Sequence, residues 1–147
     1  MKVYLGIDYG RARIGLAVSE MGRIARPLTV IKNKGDRRNL AAVREIVTRY
    51  CGGMTDRLPV VVCGLPCLAD GKESDFAREV RRFGDFLGRE LGVEVLYQNE
   101  YLTSVEAEEL IRERGLKDEV DAVAACLILQ GYLTGIKHPG SLRLPPL

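Results

Sequence analysis

Residues 3–9 (VYLGIDY) and 14–19 (IGLAVS) are two β-rich runs, the first with Val3, Leu5 and Ile7 at alternate positions. A period of two marks a strand with one face on a core. Gly10-Arg11-Ala12-Arg13 separates the two runs and reads as a hairpin loop carrying two arginines. A third run, Ile24 to Ile31, predicts an antiparallel meander, with Pro27 pointing to an edge position or a bulge. The period then changes. Leu40, Val43, Val47 and Tyr50 recur at helical spacing behind Asp36, a candidate N-cap, and Gly52-Gly53 ends the segment. Val60 to Cys63 is a continuous apolar run, too short for a helix and typical of a strand covered on both faces.

Ser74 opens a second helix with Phe76, Val80, Phe83, Leu87 and Leu91 on its inner face. Its outer, mostly basic face (Arg78, Arg81, Arg82, Asp85, Arg89) is expected in solvent. Gly92 stops it, and Val93 to Tyr97 forms a fifth strand. Thr103 with Glu106 fits a capping box for a short helix through about Arg114, with Gly115 as C-cap. A last helix starts near Asp118 and turns Val120, Val123, Ala124, Leu127, Ile128 and Tyr132 inward. The order β-β-β-α-β-α-β-α-α predicts an α/β fold: a five-stranded mixed sheet, three antiparallel strands then β-α-β crossovers, with helices on both faces. Without repeats or a long linker, one domain is expected over residues 1–138, followed by a C-terminal tail, 139–147.

Composition narrows the chemistry. The 147 residues are 46% hydrophobic and 29% charged, enough apolar side chain for a core and too much for a disordered chain. The net charge of +2 conceals a segregation: residues 1–50 hold 11 basic and 4 acidic side chains, and residues 51–147 hold 11 basic and 16 acidic. The single histidine, His138, sits in the Pro/Gly-rich tail, which leaves little for a His-activated nucleophile or a multi-His zinc site. Cys51, Cys63, Cys67 and Cys126 form no C-x-x-C pair and read as buried free thiols of a reducing cytoplasm. No signal-peptide pattern and no membrane-length apolar run is present, so a cytoplasmic protein without membrane contact is expected.

Carboxylates are the chemistry left. Asp8 falls where the first strand ends, on the face of Tyr4 and Gly6 and opposite Val3, Leu5 and Ile7. Backbone donors of the Gly10 turn would satisfy it in a purely structural role. Glu100 stands just beyond the fifth strand, at the carboxyl end where open α/β sheets place their ligands, although a solvated loop residue is the default for such a Glu. Asp121 lies in the first turn of the last helix, where a negative charge suits the helix dipole, but its neighbours Val120 and Ala122 to Ala125 are apolar enough to hold it against the sheet. If the first and fifth strands run parallel, with the fourth between or beside them, Asp8 and Glu100 emerge on the same rim, and three acids converging with Asp121 would be a candidate site for a hard cation such as Mg²⁺. Arg11 and Arg13, just after Asp8, suit substrate phosphates or merely decorate a turn. Lys32, Lys34, Arg37 and Arg38 form a second basic cluster, either a track for a nucleic-acid backbone or a solvated face. Tyr9 and Tyr101 flank two of the acids, as base-stacking platforms or as packed tyrosines.

In order along the chain, four blocks resemble the YqgF-type family of pre-16S rRNA nucleases and Holliday-junction-resolvase-like proteins. They are Gly6-Ile7-Asp8-Tyr9-Gly10 with Arg13 to Val18; Val62-Cys63-Gly64-Leu65-Pro66 with Asp70-Gly71; Glu100 with Leu102-Thr103 and Glu106-Ala107; and Asp121 to Ala125 through Ile128 to Leu133. The resemblance covers nearly the whole chain. It implies a ribonuclease-H-like fold in which Asp8, Glu100 and Asp121 are the catalytic, metal-binding acids of a two-metal phosphodiester hydrolase using Mg²⁺ or Mn²⁺. The substrate it implies is structured RNA, the 5' end of pre-16S rRNA on ribosomal precursor particles. Branched DNA is the alternative, and a non-catalytic RNA-binding assembly factor is another. Gly6-x-Asp8-x-Gly10 also resembles the phosphate hairpin of the actin/hexokinase superfamily, which needs a second domain or a dimer. The chain departs from the YqgF pattern at Asn99-Glu100-Tyr101, where an acid usually precedes and an arginine often follows the Glu, and in the short segment from Arg112 to Asp118. The sequence does not set the oligomeric state.

Overall fold

A computed structural model describes residues 2–52, 58–66, 72–99, 112–113 and 120–137. Five strands, β1 (Tyr4–Tyr9), β2 (Arg13–Ser19), β3 (Arg26–Lys32), β4 (Val60–Leu65) and β5 (Glu94–Asn99), form one sheet in the order β3-β2-β1-β4-β5. β1 pairs antiparallel with β2, and β2 antiparallel with β3, whereas β1–β4 and β4–β5 are parallel. This is the expected mixed sheet, with β1 at its centre and β1 and β5 parallel on either side of β4. β3 is an edge strand, and its register with β2 shifts between Leu16 and Ala17, opposite the stretch containing Pro27. Proline lacks the N–H a ladder needs, so the edge and the irregularity fall together.

Among the described residues, three helices cover the sheet: α1 (Asp36–Cys51), α2 (Asp75–Leu91) and α3 (Val120–Lys137). α1 and α2 close one face. Leu5, Ile7 and Tyr9 of β1, with Val61, Cys63 and Leu65 of β4, meet Val43 and Val47 of α1 and Val80, Phe83 and Leu87 of α2 there. α3 closes the other face, where Ala17, Val62, Ala125, Cys126, Leu129 and Leu133 form a smaller core. Ser74 caps α2, its hydroxyl accepting from the Ala77 N–H at 3.1 Å. Gly52 and Gly92 end α1 and α2 in the left-handed conformation.

Two expectations are corrected. Asp36 is the first residue of α1, and Gly35, at φ 100°, stands at the cap with no side-chain bond. The side chains of Asn33 and Asn39 already hold this turn, and the Asp36 carboxylate is turned to Arg82 at 2.6 Å. The outer face of α2 is in solvent as expected at Arg78, Arg82, Asp85 and Arg89, while the half-buried Arg81 pairs with Glu73 and lies over the Tyr97 ring, whose hydroxyl donates to Asp85 at 2.6 Å. These side chains flank the stripe that α2 lays on β5 and reach down to its neighbours. Val120, expected to face inward, is exposed, because the buried stripe of α3 begins at Ala122. Cys51, Cys63 and Cys126 are buried thiols outside any disulfide, as expected, and burial pushes the Cys63 thiol up to about 12. Cys67, the Thr103–Glu106 capping box, Gly115, the start at Asp118, His138 and the tail at 139–147 lie outside the described residues.

Candidate active site

Alternation along β1 sends Leu5, Ile7 and Tyr9 toward α1 and α2 and leaves Tyr4, Gly6 and Asp8 on the α3 face. Asp8 is half-buried there, one residue before the strand ends. Its cross-strand partner on β2 is Gly15. A Cβ at Gly15 would lie 1.8 Å from the Asp121 carbonyl oxygen, and one at Gly6 would lie 2.7 Å from the Ala125 carbonyl oxygen. Two glycines therefore let the backbone of α3 rest directly on β1 and β2. This contact sets the first turn of α3, with Asp121, over the partner of Asp8.

Arg13 completes the group. It starts β2 two residues from Gly15, on the same face, and its Nε donates to Asp121 Oδ2 at 2.9 Å. The Asp121 side chain is 25% exposed and that of Arg13 65%, so the pair is a bridge at the rim of the site, the kind that adds about 0–1 kcal/mol to stability. Arg11 goes the other way. Its Nε and Nη2 both donate to Glu79 Oε2 on α2, at 3.0 and 2.6 Å, and its guanidinium lies 5.2 Å from the centroid of the Phe76 ring. The hydrogen bond and charge of Glu79 raise the Arg11 pKa further. The two arginines, neighbours in sequence, are thus divided between the α3 and α2 sides of the sheet.

Tyr9 belongs to the core. It is 8% exposed, with its ring centroid 4.8 Å from that of Phe83 and 6.1 Å from that of Phe76, which excludes stacking on a base. Glu100 and Tyr101 lie outside the described residues. Among the described residues, no three His, Cys, Asp or Glu side chains gather as a metal-binding group, and the acids brought to this side are Asp8 and Asp121. No described helix is long and apolar enough to cross a membrane.

Sequence reasoning missed the polar residues that brace the site. Asn33 Nδ2 donates to the Gly10 carbonyl at 2.9 Å, Asn39 Nδ2 donates to Asn33 Oδ1 at 2.9 Å, and the Lys34 N–H donates to Asn39 Oδ1 at 3.1 Å. Together they tie the loop after β1 to the start of α1. On α3, Gln130 accepts from the Ala25 N–H at 2.9 Å and donates to the Arg23 carbonyl at 3.1 Å, pinning the β2–β3 loop to the helix. Asparagines beside a turn were the available signal for the first brace. Gln130 interrupts the apolar run that begins at Ala122, the signal for the second.

The comparisons agree with this architecture. The family model RuvX, described as Holliday junction resolvase, matches residues 2–135. A relative from Anaeromyxobacter sp. (strain Fw109-5), named "Putative pre-16S rRNA nuclease", is 41% identical over 138 residues, covering 90% of this chain and 96% of its own. One of the same name from Agathobacter rectalis is 36% identical over 146 residues, covering 93% and 98%. Among solved structures, Thermus thermophilus RuvC in complex with a Holliday junction substrate superposes with a TM-score of 0.57 at 20% identity over the whole of both chains, a likeness of fold. With a glycine-seated α3 on a mixed five-stranded sheet and a family match spanning nearly every residue, the chain belongs to the RuvX family and has the ribonuclease-H-like fold.

Proposed function

We propose that this chain is a metal-dependent endonuclease that hydrolyses phosphodiester bonds at the 5' end of pre-16S rRNA during ribosome biogenesis. The observation that carries the reading is the seating of α3 on Gly6 and Gly15, which brings Asp121 to the side of β1 that holds Asp8. The relatives named as pre-16S rRNA nucleases, at 36–42% identity over most of the chain, support the substrate. In this reading Asp8, Glu100 and Asp121 are the catalytic acids. Glu100 follows Asn99, the last residue of β5, a strand parallel to β1.

The donor set fits a hard divalent cation, Mg²⁺ or Mn²⁺. Carboxylate oxygens are the ligands such ions take, and Arg13 engages Oδ2 of Asp121, leaving Oδ1 as a donor. When bound, the cations supply an activated water and a counter-charge for the leaving oxygen. Arg13, at the rim beside Asp121, contacts substrate phosphate, and Arg11 contacts it on the α2 side with its guanidinium oriented by Glu79. The protein works in the cytoplasm on ribosomal precursor particles, as one domain over residues 1–138.

The test is incubation of end-labelled pre-16S rRNA, and separately of a four-way DNA junction, with Mg²⁺, Mn²⁺ or EDTA. Wild type cuts the RNA with metal and not with EDTA. Asp8→Asn abolishes cutting while the melting temperature is kept. If wild type is inert on both substrates, the chain is a binding factor; if it cuts only the junction, the RNA assignment falls; if Asp8→Asn unfolds, Asp8 is structural.

A further inference from the structure

The turn between β3 and α1 carries four exposed cations within seven residues: Lys32, Lys34, Arg37 and Arg38. None forms an ion pair with an acid among the described residues, whereas Arg11, Arg13, Arg26, Arg49, Arg78, Arg81 and Arg82 all do. The acid within the cluster, Asp36, is taken by Arg82 of α2. Among the described residues this leaves a positive patch without an acid partner, where most other arginines have one.

The patch is built rather than loose. The Asn33 N–H donates to the Ala12 carbonyl at 3.0 Å, and the Asn33 side chain donates to the Gly10 carbonyl and accepts from the Gly35 N–H at 3.2 Å and from Asn39. Asn39 is 1% exposed and in turn accepts from the Lys34 N–H. These bonds fasten the patch to the loop that follows Asp8. The patch is also continuous with the site: Lys32 is the cross-strand partner of Arg13, so both side chains leave the same sheet face, and Arg13 is bonded to Asp121. Lys32 thus stands beside the Arg13–Asp121 pair, and Lys34, Arg37 and Arg38 follow it along the chain into the first turn of α1.

We infer that this turn is a second binding surface, beyond the acids, for the sugar–phosphate backbone of a base-paired arm of the substrate. The inference rests on the nuclease reading for its place beside a cleavage site, but not for the binding itself. A positive patch attracts a polyanion by releasing its condensed counterions. Segment 32–38 has no aromatic side chain, and platforms for unpaired strands use aromatic rings to stack successive bases. With cations alone, the surface grips phosphates without reading bases, which is how a duplex is held.

The experiment measures binding of a labelled duplex, and of a single strand of the same length, by fluorescence anisotropy in EDTA across a salt series, with cleavage assayed separately. Lys34→Gln/Arg38→Gln is expected to lower the slope of log K against log salt by about 1.8 on the duplex, at about 0.9 for each phosphate that is no longer neutralised. A quadruple variant that also replaces Lys32 and Arg37 lowers it further. Lys2→Gln/Arg89→Gln removes two exposed cations at the opposite end of the strands and leaves the slope as in wild type. An unchanged slope in the first two variants, an equal fall in the control pair, or a fall on the single strand alone overturns the inference. Thermal melts confirm that the variants are folded. Wild type that binds through this surface but cuts nothing refutes the nuclease reading and leaves the surface standing; wild type that cuts, with an unchanged slope in the variants, does the reverse.

Discussion

Replacing Gly15 by alanine strikes the contact on which the site is built. The added Cβ would stand 1.8 Å from the Asp121 carbonyl oxygen, 2.2 Å from its carbon and 2.8 Å from the Ala122 nitrogen. All three are backbone atoms, so no rotamer can relieve the clash, and α3 must lift by more than 1 Å at its first turn. Overpacking of this kind costs about 1–3 kcal/mol, and a contact between two backbones belongs at the upper end. At about 2–4 °C per kcal/mol for a domain near this size, the melting temperature should fall by about 6–12 °C. Cleavage should fall further than stability explains, since a displacement of about 1 Å at reacting groups costs on the order of 100-fold. Gly6→Ala, facing the Ala125 oxygen at 2.7 Å and Leu129 Cβ at 2.8 Å, should cost less. Gly135→Ala, on the same helix with nothing within 4 Å, should stabilise by about 0.5–1 kcal/mol. A Gly15→Ala protein that melts within about 2 °C of wild type, or below Gly6→Ala by no margin, would refute this account of how α3 is seated.

Other outcomes follow from single contacts. Asn39→Ala removes the acceptor of the Lys34 N–H and the donor to Asn33, and should cost about 1–2 kcal/mol in a urea melt; the cost should shrink in an Asn33→Ala background if the two act as one brace. Burial and the hydrogen bond to Asp85 raise the Tyr97 pKa above its ordinary 10, so its contribution is complete below pH 10 and is lost as pH rises toward the folded value. Tyr97→Phe should therefore cost about 1 kcal/mol at pH 8 and flatten the alkaline fall of stability above pH 10. Cys63, its thiol pushed up to about 12 by burial, should resist iodoacetamide in the native protein at pH 8 and react once unfolded in urea; labelling at native rates comparable to the unfolded chain would contradict the buried setting.

The face of Asp8 was legible because a strand's period of two leaves no freedom: with Leu5 and Ile7 committed to the core, Asp8 must turn to the other side. The order of the sheet was legible for a similar reason, since a meander followed by crossovers has few closures. What escaped depended on neighbours that spacing does not name. Asp36 has the composition of a cap, but the Asn33–Asn39 brace and Arg82 took its place and its charge. Arg11 and Arg13 share one loop in sequence, yet Glu79 and Asp121 draw them to different helices. Arg81 looks like a solvent-facing helix residue, yet Glu73 and the Tyr97 ring of β5 leave it half-buried. Glu100 was assigned from its place after a strand, and lies outside the described residues.

The α3 contact also dictates an order of events during synthesis. Arg13 and Asp121 are 108 residues apart, and the core beneath α1 and α2 includes no residue of α3. A nascent chain can therefore close that first core while Asp8 still faces outward on a sheet with one bare side. At about 5–20 residues per second, on the order of 5–20 s separates the appearance of the first strands from that of Asp121. Asp121 reaches the side of the sheet that holds Asp8 only once α3 has left the ribosome and settled on Gly6 and Gly15.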